Sequence, residues 1–426
     1  MNHPERTMGA EDYRRVLLEL LLEKYEASLA FKTGTSRRRP GLILAKSPLA
    51  EDYYDEMDHR KRESIHAAVE ELAREGVVEP VWPRFKRGLE LKGVYLNLEE
   101  LPRAYALAGR EPKGAKIEAL RGILAPLAEH PWDWVRAYWR KMDGHLAARH
   151  TAGLDLADLD GYTLLVRSLF ALADLDETQP KRVFSQRVLG DSKAFEDFVE
   201  RRLLVLLKRH GPYEYETDEE YLDSVGLSGN PWTILFAGPL EIGINGSVLS
   251  FAGLPGEIGL SEAAVRRAET MGGEFTHILT IENLTTFHQA VRSKIRGQGL
   301  IVYTGGFPHR GVQRFLARLK DSWAGDEGKA PPAYHWGDLD YGGIRIFAYL
   351  RRTFFPDIQP YLMDIETYRR YKDLGTAFGP VYAKKLRRLL EDPDYADWHP
   401  VIAEMLHEGR ILEQEAVGYQ ALKDYG

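Results

Sequence analysis

Residues 276–323 read THILTIENLTTFHQAVRSKIRGQGLIVYTGGFPHRGVQRFLARLKDSW, and after an irregular segment residues 334–343 read YHWGDLDYGG. Three short apolar runs each stop at a polar or glycine-rich turn, and the first two are followed by helix-like spacing. That alternation predicts parallel strands joined by crossover helices. In an open parallel sheet, ligands gather in the crevice beyond the carboxyl ends of the strands. Acidic residues occupy that edge here: Glu282 follows the first run, and Asp338 and Asp340 follow the third. Carboxylates are hard oxygen donors, so three at one edge predict a site for Mg²⁺ or Mn²⁺. On extended backbone Asp338 and Asp340 point to the same side, while Gly342 and Gly343 allow a tight turn and a close approach. The plainer alternative is one helix-capping Asp and one solvated Asp.

Working outward, the chain of 426 residues has room for about two to four domains. It contains no cysteine, which excludes disulfides, zinc thiolate sites and thiol catalysis. No apolar run approaches a membrane span and the first residues carry no apolar signal region, so a cytoplasmic protein with no membrane partner is expected. The net charge of −7 argues against a nucleic-acid coat but leaves room for a local basic face.

Residues 11–29 have helical spacing, and Arg37, Arg38 and Arg39 then form a short basic loop. A second helix ends at Gly76, and VVEPVWPRFKRGLELKGVYLN follows as two short strands around a basic turn. Helix, helix and basic hairpin suggest an N-terminal winged-helix domain over residues 1–98, with Lys86, Arg87 and Lys92 on the wing and Arg60, Lys61 and Arg62 at the start of the preceding helix. These charges suit either DNA contact or a solvated protein-binding surface. Residues 99–153 read as a helical arm. Its cluster PWDWVRAYWRKM offers Trp132, Trp134, Tyr138 and Trp139, which at this spacing build a core more often than a base-stacking platform.

Residues 154–225 fit a second, CAP-like winged-helix unit. A short helix near residues 181–188 breaks at Gly190, and a long helix begins near Asp191, with Asp191 or Ser192 as its N-cap. Arg182, Arg187 and Lys193 cluster at that break, where a helix N-terminus favours phosphate. Residues 211–229 are acidic and polar and read as a linker. The α/β domain then occupies residues 226–426, and late in it EQE places Glu413 and Glu415 two residues apart. His288, His309, Arg310 and His335 lie near the acidic edge as phosphate contacts or as structural residues. Lys294 and Arg296, on the first crossover helix, suit either the lining of a DNA path or solvated helix charges.

The pattern of Glu, glycine-bearing second strand and Asp-Leu-Asp resembles a Toprim domain, the metal-binding fold of topoisomerases, primases and some nucleases. The fuller set TIEN, VYTGGFP, WGDLDYGG and EQE resembles the JetD family, the nuclease subunits of Wadjet plasmid-defence systems, themselves similar to the A subunit of topoisomerase VI. The likeness runs from about residue 155 onward; the N-terminal third matches only as a variable arm. It implies a metal-dependent DNA endonuclease in which Glu282, Asp338 and Asp340 hold divalent metal and Glu413 or Glu415 completes the site. It also implies double-stranded plasmid DNA as substrate, a homodimer with one site per strand, and an SMC-like ATPase with kleisin and accessory subunits as partner. The chain carries no GxxxxGK phosphate loop, so ATP dependence would come from that partner. Topoisomerase VI-like enzymes use a tyrosine in the upstream winged helix, and VFSQRVLGDSKAFEDF contains none. Hydrolysis by water is therefore expected over transesterification, with Tyr162 and Tyr213 as flanking exceptions. A non-catalytic DNA-binding or scaffold subunit is the reading from a different class.

Overall fold

The structure, a computed structural model, describes residues 8–34, 39–228, 233–293, 297–323 and 330–418. Arg37, Arg38, Lys294 and Arg296 lie outside the described residues. The chain divides into two compact units, residues 1–166 and 167–426.

In the first unit, helix α1 (Ala10–Glu26) buries Leu17, Leu18, Leu21 and Leu22 along one stripe, the pattern of a helix seated on a core. Strand β1 (Gly41–Ile43), helix α2 (His59–Arg74), and strands β2 (Val78–Val81) and β3 (Gly93–Leu96) follow. The strands form an antiparallel sheet in the order β1-β3-β2. Lys86 and Arg87 fall in the β2–β3 loop, where Lys86 pairs with Glu90 at 2.5 Å. At the start of α2, Lys61 pairs with both Asp52 and Asp55, and Arg60 with Asp58. Helices α3 (Lys113–Leu124) and α4 (Asp133–Ala147) follow later in the unit. Tyr138 and Trp139 are buried in α4, and Trp132 stacks on Trp134 at 5.6 Å, so the aromatic cluster serves packing.

In the second unit, helices α5 (Lys181–Leu189) and α6 (Glu200–His210) meet at a turn where Gly190 has φ 83°. Asp191 Oδ1 accepts the Lys193 and Ala194 amides at 2.6 and 3.2 Å, satisfying donors that a helix start leaves open. A π-helical turn over Phe195–Val199 then leads into α6. The acidic stretch read as a linker is structured: it contains helix α7 (Asp218–Ser224), fastened by a capping box in which Thr217 and Glu220 satisfy each other's backbone amides.

The central sheet holds strands β4 (Thr233–Ala237), β5 (Ile258–Ser261), β6 (Ile278–Ile281), β7 (Leu300–Tyr303), β8 (Ala333–Trp336) and β9 (Gln359–Pro360), in the order β9-β8-β6-β7-β4-β5. The four strands β9, β8, β6 and β7 are parallel. β4 and β5 extend that sheet antiparallel, so it is mixed. Helices α8 (Leu284–Arg292), α9 (Arg310–Asp321) and α10 (Tyr341–Thr353) follow β6, β7 and β8 in turn, giving the alternation expected from the apolar runs. All four residues of β6 are buried, which marks it as central and explains why its sequence is apolar throughout. The edge strand β9 is only two residues long. Helices α11 (Ile365–Tyr371), α12 (Pro380–Leu390) and α13 (His399–Glu408) then bring the chain back toward the sheet.

Candidate functional site

Past the end of β6, the Glu282 amide donates to the Trp336 carbonyl at 3.0 Å, carrying the ladder one residue beyond the strand. The Glu282 carboxylate turns back to accept the Asp338 amide at 3.1 Å. Asp338 accepts the Gln414 amide through Oδ1 at 2.5 Å. Asp340 caps α10: Oδ1 accepts the Gly343 amide at 2.7 Å, and Oδ2 accepts the Tyr382 hydroxyl at 3.1 Å. An antiparallel bridge between Leu339 and Leu412, with amide–carbonyl distances of 2.9 and 3.1 Å, brings the late acidic segment beside the two aspartates.

The glycines of WGDLDYGG make this approach possible. A Cβ on Gly337 would lie 2.5 Å from Glu282 Oε2 and 2.8 Å from His335 Nε2. One on Gly342 would lie 2.7 Å from Glu216 Oε1, and one on Gly343 would collide with the Asp338 carbonyl. Their role is to admit neighbours, since none of the three adopts a positive φ.

Burial and mutual repulsion set the charges. Burial first, then the charges of Asp338 and Asp340, raises the Glu282 carboxyl well above the usual carboxylate range. Burial, followed by Asp340, pushes Asp338 up to about 7, with Glu415 and Glu413 adding to the rise. Asp340 is raised by burial, against the pull of its hydrogen bonds from Gly343, Tyr382 and Gly342. Although Glu216 keeps some exposed surface, burial of its carboxyl and then the charges of Asp340 and Glu220 raise it as well. Such a group sheds this repulsion by taking up protons or a cation. The donors are all hard carboxylate oxygens, which suits Mg²⁺ or Mn²⁺. Among the described residues, however, no three His, Cys, Asp or Glu side chains converge into a ready-made ligand set. Glu282, Asp338 and Asp340 instead each spend an oxygen on a protein donor.

The late pair flanks the site from outside. Glu415 accepts the Asn283 side-chain amide at 2.5 Å, and Glu413 accepts Thr376 Oγ1 at 3.4 Å. Gln414, between them and 1% exposed, points inward. Its side chain accepts the Asn283 amide at 2.9 Å and donates to the Trp336 carbonyl at 2.9 Å. Nothing in the sequence singled it out from its charged neighbours. Glu216 and Tyr382 were also missed. For Glu216 the signal was present, because Thr217 and Glu220 have capping-box spacing and so foretell a helix in the supposed linker.

Other expected residues fall elsewhere. His335 is fully buried under the sheet edge, bonded to Thr280 at 2.9 Å, and burial lowers it to about 3. This removes it from any phosphate contact. His309 caps α9 by accepting the Gly311 amide at 3.2 Å, and burial lowers it to about 4. Arg310 turns inward, donating to the Leu175 carbonyl at 3.2 Å, with its Nη1 buried and unbonded. His288 lies 3.4 Å from Glu257. Arg182 stands 3.7 Å from Glu196 at the α5–α6 turn, and Arg187 and Lys193 are exposed there. Tyr162 is buried and accepts the Asp155 amide; Tyr213 packs edge-on to Tyr349.

A mixed sheet whose parallel strands end in clustered carboxylates defines a multidomain α/β protein with a candidate acidic site. A family model described as Wadjet protein JetD, C-terminal, matches residues 250–425. Wadjet protein JetD of Bacillus cereus (strain Q1) is 39% identical over 408 residues, covering 95% of this chain and 98% of that protein. The chain belongs to the JetD family of Wadjet defence proteins. Among the described residues, no helix is long and apolar enough to cross a membrane.

Proposed function

We propose that this chain is a metal-dependent DNA endonuclease, the nuclease subunit of a Wadjet defence complex. The observation that carries the reading is the gathering of Glu282, Asp338 and Asp340 at the carboxyl edge of β6 and β8, with burial raising all three carboxyls and the neighbouring aspartate charges adding to the rise at Glu282 and Asp338. Those three residues would hold Mg²⁺ or Mn²⁺, with Glu413 or Glu415 adding a ligand. Such an ion supplies charge neutralisation at a phosphodiester and an activated water. Around it the chain's own groups position the carboxylates. Tyr382 fixes Asp340, Gln414 fixes Asp338, and the Asp338 amide fixes Glu282. Burial and then the Asp340 charge raise the Tyr382 phenol, so it stays protonated as a hydrogen-bond donor and is a poor nucleophile. That favours hydrolysis over a tyrosyl-DNA link.

The substrate is double-stranded plasmid DNA, gripped by Arg182, Arg187 and Lys193 at the α5–α6 turn and by Lys86 and Arg87 in the β2–β3 loop. A homodimer would cut both strands, and an SMC-like ATPase with kleisin and accessory subunits would select the target. The test is supercoiled plasmid incubated with the purified chain and Mn²⁺, with and without the partner subunits. Nicked and linear products are expected, falling by roughly 10²-fold or more in Asp338→Asn. Undiminished cutting by that variant would overturn the site. A covalent protein–DNA adduct trapped with denaturant would overturn hydrolysis.

A further inference from the structure

A cavity of about 200 Å³ opens beside α10, apart from the carboxylates. Four rings line it: Tyr213, Phe307, Tyr349 and Tyr395. Tyr349 stands edge-on to Tyr213 with ring centroids 5.3 Å apart, and tilted to Phe307 at 5.7 Å. Phe307 and Tyr349 are buried and form the floor, while Tyr213 and Tyr395 are half-buried and offer apolar surface against which a planar heterocycle can stack.

The cations of the lining are not neutralised alike. Arg351 is engaged by Asp397 at 2.8 Å and lies over Phe347. Arg345 sits over Phe307 and Tyr341, at 5.5 and 5.1 Å, and hydrogen-bonds Tyr395. Arg352 lies over Tyr213 at 5.8 Å. Among the described residues neither Arg345 nor Arg352 forms a carboxylate ion pair. Two guanidiniums held by aromatic faces keep their charge available to an incoming anion, and their forked donors match phosphate. Asp394 adds a carboxylate to the same lining, an acceptor for an exocyclic amino group.

From this combination we infer that the cavity is a nucleotide-binding subsite, taking one amino-bearing base against its aromatic rings and the attached phosphate on Arg345 and Arg352. At about 200 Å³ the cavity is smaller than the roughly 300 Å³ at which whole-ligand pockets begin, so it takes the base alone and leaves the sugar and phosphate at its mouth. The shared chemistry has two sources, a free nucleotide or a nucleotide in an unpaired DNA strand. Arg345 lies five residues along the chain from the Asp340 cap of α10, so a strand held here would run close to the acidic edge.

Binding is tested on the full chain in EDTA by titration calorimetry with dAMP, so the outcome does not depend on cutting. Saturable binding is expected, weakened about tenfold or more by Arg352→Gln and by Arg345→Gln, each the loss of a charge-assisted bond. Deoxyadenosine, inorganic phosphate and dTMP should all bind more weakly than dAMP. Arg352 is exposed, so its variant should fold, and circular dichroism checks both. Inorganic phosphate binding as tightly as dAMP, no saturable dAMP binding, or binding untouched by both substitutions overturns the assignment. Displacement of dAMP by a 5′-phosphorylated single strand but not by blunt duplex identifies an unpaired strand as the occupant. Displacement by neither identifies a free nucleotide. Both results support the subsite.

Discussion

Asp338 is the residue on which the site's protonation is easiest to read. Its carboxyl is pushed up to about 7 by burial and then by Asp340, whereas in the unfolded chain it titrates near its ordinary value of about 4. Between those values the folded state holds a proton that the unfolded state has released. The associated stability is therefore present below about pH 4 and lost as pH rises through about 7. In EDTA, Asp338→Asn should melt above the parent chain at pH 8, with the difference shrinking toward pH 5. Mn²⁺ should raise the parent's melting temperature more at pH 8 than at pH 5 and move the variant little. His335 and His309 run the other way: lowered to about 3 and 4, they contribute stability above about pH 6.5 that drains as the medium is acidified. Gly337 is constrained sterically. Gly337→Ala places a methyl against Glu282 and His335, and an overpacked site should be destabilised by about 1–3 kcal/mol, read by denaturant unfolding.

At the scale of elements, the segment carrying Gln414 and the helix α7 both hold the edge of the sheet in place. Gln414→Ala leaves the Asn283 amide without its partner and the Trp336 carbonyl with the Glu282 amide alone. A buried group stranded in this way is worth about 1–3 kcal/mol; a drop in melting temperature is expected, and Gln414→Glu should not restore it. Thr217→Ala removes half of the α7 capping box and should lower stability by about 1 kcal/mol in the same assay. The sequence made some of these elements legible and hid others for a physical reason. The strands β6, β7 and β8 announce themselves because burial on both faces demands unbroken apolar runs, and Glu282, Asp338 and Asp340 are found by counting from their ends. Gln414 reaches Asn283 across 131 residues of sequence, and no local periodicity encodes such a contact. The acidic stretch before β4 looked like a linker because its charges face outward, although Tyr341 reaches Glu214 at 3.0 Å and Gly342 makes room for Glu216.

For the molecule as a whole, a net charge of −7 means that the proposed attraction to DNA would have to come from local patches. If the α5–α6 turn is such a patch, changing Arg182, Arg187 and Lys193 together to Gln should lower the slope of log affinity against log salt by up to about three phosphate contacts. An unchanged slope would shift the grip to the β2–β3 loop. The bridge between Leu339 and Leu412 bears on the order in which the second unit opens. Only two backbone bonds make that bridge, and the neighbouring Arg410–Ile411 pairing is two residues long, so this seam has little to resist a partial opening. In deuterated water the Leu339, Leu412 and Gln414 amides should then exchange at one shared rate, faster than those of β6. A slowing of that rate by Mn²⁺ would make it a clock for how long the carboxylates stay enclosed.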